Sequence, residues 1–208
     1  MGSSETLFSY FARYARVFVE TGTYLGDGIQ RALDSGFETV YSCDVNEELV
    51  EQAARRFADS DVQVVHGSSG DVLPGILSRI AERAVFFLDG HGMPPDASSE
   101  HFSASTLLPG REDDPSVYAP LRTELGLILA HPVRDHIILI DDRQCFGTWM
   151  FDGITESEVQ HKLFSTHPGY SFRHFENVLV CSPDDTGAPS EPLPRRVRHA
   201  LARVAGRG

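Results

Sequence analysis

The chain lacks most of the features that mark nucleic-acid-binding and membrane proteins. Lys162 is the single lysine among 18 basic residues, and 30 acidic residues give a net charge of −12. This acidity argues against a surface that binds nucleic acid. No apolar run approaches the ~18 residues of a membrane-spanning helix, and no basic segment followed by an apolar core opens the chain. We therefore expect neither nucleic acid nor a membrane as a partner.

Cysteine is also scarce. Cys43, Cys145 and Cys181 are the three present, an odd number at wide spacing. This spacing gives neither a disulfide framework nor a paired-cysteine metal knuckle. The expected compartment is a reducing one, and we predict a cytoplasmic protein. A homo-oligomer is compatible with the sequence.

What the sequence does contain is a regular alternation of apolar runs and amphipathic segments. The 208 residues suffice for one domain with a well-buried core. The alternation predicts an α/β protein: a single Rossmann-like domain with a mostly parallel seven-stranded sheet. The last two strands, 170–175 and 177–181, are too close for a crossover and should form an antiparallel hairpin. We place the domain at 1–182, a lid or flexible loop at 92–118, and a Pro- and Asp-rich, then basic, tail at 183–208.

Acidic residues close four of the predicted strands. Glu20, Asp44 and Asp89 each follow an apolar run, and the pair Asp141–Asp142 follows a fourth. In a parallel sheet these carboxylates would emerge along the carboxyl edge, where open α/β sheets bind ligands. The sequence therefore predicts a site at that edge.

A glycine-bearing turn follows the first strand, with the sequence Glu-Thr-Gly-Thr-Tyr-Leu-Gly-Asp-Gly at 20–28. Glycine allows the backbone to approach a ligand closely, although a tight turn alone would explain it equally well. Asp44 ends the next strand and could accept the hydroxyls of a ribose, while a helix N-cap is the alternative role. Together the two features favour a nucleoside-bearing ligand.

These motifs together resemble a class I S-adenosylmethionine-dependent methyltransferase. The resemblance rests on residues 20–26, Asp44, His-Gly-Ser-Ser at 66–69, Phe-Leu-Asp-Gly-His at 87–91 and Ile-Leu-Ile-Asp-Asp-Arg at 138–143. It implies that Glu20 and Gly22 border the methionine end of the cofactor and that Asp44 holds the ribose. Two residues depart from the common pattern, since Tyr24 replaces a frequent glycine and Ser68 a frequent aspartate. The predicted cofactor-binding set is Glu20, Gly22, Thr23, Tyr24, Gly26, Asp44, Val45, Ser68, Ser69 and Asp89.

The remaining acids predict a metal site. Asp89, Asp141 and Asp142 would repel one another unless a cation or proton intervened, and all-oxygen ligands favour Mg²⁺. The pattern is similar to metal-dependent small-molecule O-methyltransferases of the macrocin type, which implies that Mg²⁺ binds the acceptor hydroxyl. His91 could take the hydroxyl proton, with Asp89 beside it as the second catalytic residue. A turn or cap for the acidic pair, and a solvated histidine, are the structural alternatives.

The predicted function is methyl transfer from S-adenosylmethionine to a hydroxyl of a small molecule, such as a sugar or polyol, assisted by Mg²⁺. Two alternatives remain within the same fold: a metal-independent methyltransferase, and a domain that binds the cofactor without turnover. A nicotinamide-dependent oxidoreductase fits less well, because the turn lacks a tight Gly-x-Gly-x-x-Gly.

Overall fold

The computed structural model describes residues 3–91 and 115–187. A seven-stranded sheet with the order β3-β2-β1-β4-β5-β7-β6 forms its centre. The strands are β1 (Val17–Thr21), β2 (Thr39–Asp44), β3 (Val62–His66), β4 (Ala84–Leu88), β5 (Ile137–Ile140), β6 (Tyr170–Phe175) and β7 (Val178–Pro183). The helices are α1 (Ser3–Phe11), α2 (Asp27–Asp34), α3 (Glu47–Arg56), α4 (Ser69–Leu77), α5 (Pro115–Tyr118), α6 (Leu121–Ala130) and α7 (Glu156–Thr166).

The sheet topology matches the prediction. Strands β1 to β5 pair in parallel, and β7 runs antiparallel to both β5 and β6. The hairpin closes within two residues, and Glu176 adopts a left-handed φ of 52° there. The α/β fold with its C-terminal antiparallel pair is therefore confirmed.

Each face of the sheet carries its own apolar core. On one face, Phe8 of α1 packs edge-on against Phe18 at 4.6 Å and Phe87 at 5.0 Å between ring centroids. On the other face, Leu73 of α4 and Leu125 of α6 lie in one cluster with the inward residues of β4 and β5. All five residues of β4 are buried, as expected for a central strand covered on both sides.

Helix starts follow local capping rules. The Asn46 side chain accepts hydrogen bonds from the backbone of Glu48 and Leu49 at the start of α3, which satisfies two otherwise unpaired donors. Thr155 and Glu158 form a capping box at the start of α7. These caps hold the helices in place behind the carboxyl edge.

The chain departs from the predicted boundaries near its C-terminus. Pro183 belongs to β7, and residues 184–186 form a short 3-10 helix. The Tyr10 hydroxyl donates to the Thr186 carbonyl at 2.8 Å, and the Thr186 side chain is buried. Residues 183–186 therefore continue the described structure and contact α1, while the domain boundary at 182 stays a prediction. Residues 188–208 of the predicted tail lie outside the described residues.

The predicted loop at 92–118 lies largely outside the described residues, which resume at 115. Residues 115–118 form α5 rather than irregular chain. Two further 3-10 turns, at 143–145 and 149–151, follow the acidic pair. Within residues 3–91 and 115–187, no helix is both long and apolar enough to cross a bilayer.

A histidine pair, buried His136 and partly exposed His131, lies at the amino end of β5. His136 Nδ1 accepts from the Ala84 backbone N–H at 3.1 Å, and its Nε2 lies 2.9 Å from His131 Nδ1. His131 Nε2 in turn lies 3.1 Å from the Leu77 carbonyl. Since Nδ1 of His136 is an acceptor, its Nε2 carries the proton and donates to His131. Burial lowers the pKa of His136 to about 4, and repulsion from His131 adds to this effect.

This pair should make the fold sensitive to acid. The unfolded chain takes up a proton on His136 near pH 6.5, whereas the folded chain resists protonation until about pH 4. Stability is therefore complete above the unfolded pKa and is lost as pH falls towards the folded one. Between pH 7 and 4.5 the wild type should lose roughly 2–3 kcal/mol more than His136→Asn in urea unfolding. The exposed His161→Asn variant is the control, and equal pH dependence in all three proteins would contradict the assignment.

Candidate functional site

The carboxyl edge of the sheet brings the predicted acids into one row. The Gly22 backbone N–H donates to the Cys43 carbonyl at 2.9 Å, which joins the end of β1 to that of β2. The Asp89 N–H donates to the Thr21 carbonyl at 3.2 Å, and the Asp141 N–H to the Leu88 carbonyl at 3.1 Å. These bonds continue the parallel ladders by one residue. Residues from β1, β2, β4 and β5 therefore meet at a single rim.

Close contacts within the protein require glycine at two positions of the first turn. Gly22 has a φ of +86°, and a Cβ there would lie 2.6 Å from the Asp89 carbonyl oxygen. Gly26 has a φ of +80°, and its Cβ would lie 2.9 Å from the Phe57 ring. The predicted close approach is therefore made by neighbouring chain, and the glycines alone do not indicate a ligand.

Glu20 lies beneath this turn rather than in the open edge. It is 3% exposed and accepts a hydrogen bond from the Ser42 hydroxyl at 2.9 Å. The Thr23 hydroxyl lies 2.7 Å from the Ser42 hydroxyl and extends the buried network. Burial raises the pKa of Glu20 to about 8. Glu20 and Thr23 thus support the turn from below, and their contact with a cofactor stays a prediction.

Asp44 is held in a fixed orientation at the end of β2. Its Oδ2 accepts the Tyr24 backbone N–H at 2.9 Å, and its Oδ1 accepts the Asn46 N–H at 2.9 Å. Tyr24 makes this contact from a left-handed conformation with φ 46°. A carboxylate has about four acceptor sites, so two backbone bonds leave capacity for two hydroxyls. Beside it, the Val45 carbonyl lies 3.1 Å from His66 Nε2.

The two serines at the start of α4 have different surroundings. The Ser68 hydroxyl donates to Asp71 at 2.8 Å. Ser69 is buried, and its hydroxyl and that of Thr21 hydrogen-bond the buried Glu124 carboxyl, which opposes the effect of burial on the Glu124 pKa. Both serines at the start of α4 therefore have side-chain partners, and their contact with the adenine stays a prediction.

Glu124 was not predicted from the sequence. It is 1% exposed, and burial raises its pKa. A Cβ on Gly90 would lie 3.4 Å from its Oε1 and 3.0 Å from Thr21 Oγ1. These polar atoms therefore lie directly beneath the Asp89–His91 segment. The sequence signal for it was the position of an acid on the buried face of α6, which Glu124 shares with Leu121, Leu125 and Ile128.

The predicted acidic cluster forms around His91. His91 Nε2 lies 2.9 Å from Asp142 Oδ2 and 3.8 Å from Asp89 Oδ1. Burial, followed by the nearby Asp141 carboxylate, raises the pKa of Asp89 to about 7. The hydrogen bond with His91 lowers the pKa of Asp142. Within the cluster, the Asp89 carboxyl therefore holds a proton more readily, whereas the Asp142 carboxylate stays charged.

Asp142 is positioned by neighbours that the sequence did not reveal. Its Oδ1 accepts from Gln144 Nε2 at 2.8 Å and from Asn177 Nδ2 at 2.8 Å. Asp141 Oδ1 accepts the Asp142 backbone N–H at 2.8 Å. Asn177 comes from the tight turn between β6 and β7, which lies far away in the chain. No sequence pattern pointed to that contact.

The group with metal-ligand spacing includes two residues outside the predicted metal set, His91 and Cys145. Among the described residues, His91, Asp142 and Cys145 form a group whose ligand atoms all lie within 4.8 Å of one another. Asp89 and Asp141 are not members of that group. The all-carboxylate set of Asp89, Asp141 and Asp142 shares the same rim, and its role as a Mg²⁺ site stays a prediction. Three oxygen-bearing side chains with fixed backbones nevertheless fit the chemistry that a hard cation requires.

Comparison with known proteins agrees with this architecture. No family model matches the chain, and no curated protein sequence matches it. Among solved structures, the SAH-bound methyltransferase PaMTH1 of Podospora anserina has a TM-score of 0.57 and 13% identity, over 86% of this chain and 77% of that one. The O-methyltransferase TomG of Streptomyces achromogenes, in complex with SAM, has a TM-score of 0.53 and 15% identity, over 88% and 81%.

A third structure, the methyltransferase MycE of the mycinamycin biosynthetic pathway, was solved with Mg, SAH and mycinamycin VI. It has a TM-score of 0.50 and 14% identity, over 94% of this chain and 53% of that one. At such identities the likeness establishes the fold. The chain has the fold of class I S-adenosylmethionine-dependent methyltransferases, as the motif resemblance implied.

Proposed function

We propose that the chain is an S-adenosylmethionine-dependent methyltransferase that acts on a hydroxyl of a small molecule, assisted by Mg²⁺. The observation that carries the proposal is the row formed by Gly22, Asp44, Asp89 and Asp141 at one rim. That rim belongs to a sheet with the methyltransferase topology, in which ligands bind at the carboxyl ends of the strands.

The residues at β1, β2 and β3 suit the cofactor. Asp44 would accept the ribose hydroxyls, because two backbone donors already fix its orientation. Ser68 or Ser69, at the start of α4, would lie near the adenine. S-adenosylmethionine would supply an electrophilic methyl group when bound, so the protein needs only to align the acceptor and remove its proton.

The residues at β4 and β5 suit the acceptor. Asp89, Asp141 and Asp142 would hold Mg²⁺, whose chemistry is to lower the pKa of a coordinated hydroxyl. His91 would accept the hydroxyl proton, and Asp142 orients its ring through the 2.9 Å contact. MycE, which was solved with Mg, SAH and mycinamycin VI, supports this pairing of fold and metal.

A sugar or polyol is the acceptor class that we propose. Trp149 is 51% exposed and lies beside Tyr118, with 6.4 Å between the ring centroids. Nearby, Phe151 packs edge-on against His91 at 5.6 Å. An exposed aromatic next to polar, acidic side chains offers both an apolar surface and hydroxyl-binding groups. The same combination suits a molecule with a ring and several hydroxyls.

A metal-independent reaction is the second candidate. The direct contact between His91 and Asp142 favours it, because a histidine oriented by a carboxylate can act as a general base without a cation. Turnover that persists in excess EDTA would select this candidate.

Cofactor binding provides the test of the central proposal. Asp44→Asn should weaken SAH binding about tenfold to a hundredfold in calorimetry, the effect of losing one hydrogen bond to a charged group. Asp59→Asn, at an exposed position in the loop after α3, should bind SAH like the wild type. If the wild type fails to bind SAH, the proposed function is wrong. If the wild type binds SAH and Asp44→Asn binds it equally well, only the assignment of Asp44 to the ribose is wrong.

A further inference from the structure

His91, Asp142 and Cys145 bring three different donor atoms together. An imidazole nitrogen, a carboxylate oxygen and a thiol sulfur lie within 4.8 Å of one another. His91 and Asp142 are partly buried, and Cys145 is 4% exposed. No sequence pattern indicated this group, because the spacing of Cys145 from the other cysteines forms no metal-binding motif.

The group is held together by short-range backbone geometry. Asp142 adopts a left-handed φ of 49°, and the 3-10 turn at 143–145 follows at once. The Cys145 N–H donates to the Asp142 carbonyl at 2.7 Å, which brings the thiol back towards the Asp142 carboxylate. Gln144 and Asn177 occupy Asp142 Oδ1, so that Oδ2 faces His91. Partners of this kind fix the ligands in metal sites.

The donor set favours a softer cation than Mg²⁺. Mg²⁺ prefers oxygen ligands in an octahedron, whereas nitrogen, oxygen and sulfur together suit tetrahedral Zn²⁺. Bond lengths to Zn²⁺ would separate neighbouring ligand atoms by about 3.3–3.6 Å. Met150 Sδ, 3.5 Å from the Cys145 sulfur, adds a further soft atom at the margin of the group.

We propose that His91, Asp142 and Cys145 form a site for Zn²⁺ or a cation of similar softness, which blocks the hydroxyl-activating site. Binding forms three metal–ligand bonds, breaks the His91–Asp142 hydrogen bond and releases the Cys145 thiol proton to solvent. Neutral His91 then carries its proton on the ring nitrogen that does not bind the metal, and the fourth position takes water. Asp142 belongs both to this set and to the proposed Mg²⁺ set, so the two ions exclude each other. His91 would also be occupied as a ligand and unavailable as a base. This consequence for turnover rests on the proposed function, whereas the binding site does not.

Cobalt absorption tests the site without any methyl-transfer assay. Tag-free wild-type protein titrated with Co²⁺ should develop the near-ultraviolet absorption of a thiolate–cobalt bond, and Zn²⁺ should displace it. Cys145→Ser should lose this absorption and bind Zn²⁺ at least about a hundredfold more weakly. Cys181→Ala, which removes a buried cysteine from β7, should keep it. No thiolate absorption in the wild type, or its persistence in Cys145→Ser, would overturn the proposal.

A second variant covers the case in which Cys145→Ser fails to fold. His91→Gln should weaken Co²⁺ binding at least about tenfold, and unchanged affinity would again overturn the site. The effect on function is measured separately, as inhibition by Zn²⁺ at fixed Mg²⁺. If Co²⁺ binds with the expected absorption and Zn²⁺ displaces it but no methyltransferase activity is found, the metal site stands and the proposed function falls.

Discussion

Asn in place of Asp141 should lower kcat at least about a thousandfold, because the metal's charge stabilisation is worth several kcal/mol. The substitution removes one charge from the acidic cluster yet keeps an oxygen that can accept the Asp142 backbone N–H. The local turn should therefore persist. SAH binding should change less than threefold, since Asp44 and Ser69 lie nearer the other end of the rim. Calorimetry and a steady-state methyl-transfer assay with added Mg²⁺ measure the two quantities.

The matched control for this prediction is Asp152→Asn. Asp152 is exposed, has a left-handed φ of 49° that asparagine accepts readily, and lies outside the acidic cluster. It should retain the wild-type kcat. Full activity of Asp141→Asn in the presence of EDTA would show that no metal acts at this rim. Strong loss of SAH binding in the same variant would instead assign Asp141 to the cofactor.

The sheet and its rim could be predicted because both depend on local patterns. Apolar runs such as 136–140 are long enough for one buried strand, and an acid directly after each run must emerge at the carboxyl end. Parallel pairing then aligns these ends, whichever residues fill the loops. Asp44, Asp89 and Asp141 were placed correctly on one edge for this reason. The same reasoning placed Glu20 there, but Glu20 pairs with Ser42 and Phe87, two positions before the row of Gly22, Asp44 and Asp89, and its side chain is buried.

The contacts within the site could not be predicted, because they depend on turn geometry and on distant segments. Asn177 reaches Asp142 from a hairpin turn, and Cys145 joins His91 through a left-handed residue followed by a 3-10 turn. Neither arrangement has a periodicity. Glu124 is different, since its position in the buried register of α6 was visible in the sequence. It was missed because the sequence shows which face of a helix is buried but not what that face covers.

Gly28 offers the sharpest test of how Glu20 supports the glycine-bearing turn that follows β1. A Cβ on Gly28 would lie 1.6 Å from Glu20 Oε1, and the Glu20 carboxyl is enclosed with Ser42 as its hydrogen-bond partner. Helix propensity alone would make Gly28→Ala stabilising by up to about 1 kcal/mol, because the residue lies in α2. The steric overlap predicts the opposite sign. We expect a loss of roughly 3 kcal/mol or more in urea unfolding, typical of overpacking next to a buried polar group.

Gly75→Ala is the matched control, because Gly75 lies within α4 and a Cβ there would meet nothing within 4 Å. This variant should gain about 0.5–1 kcal/mol. The double variant combines Glu20→Ala with Gly28→Ala and so removes the overlap. Its loss in free energy of unfolding should be smaller than the sum of the losses in the two single variants, as a double-mutant cycle measures. Additive effects would mean that Glu20 and Gly28 do not meet. In that case the motif's first acid would be free to face the cofactor, as the family resemblance implies, and not to support the turn from below.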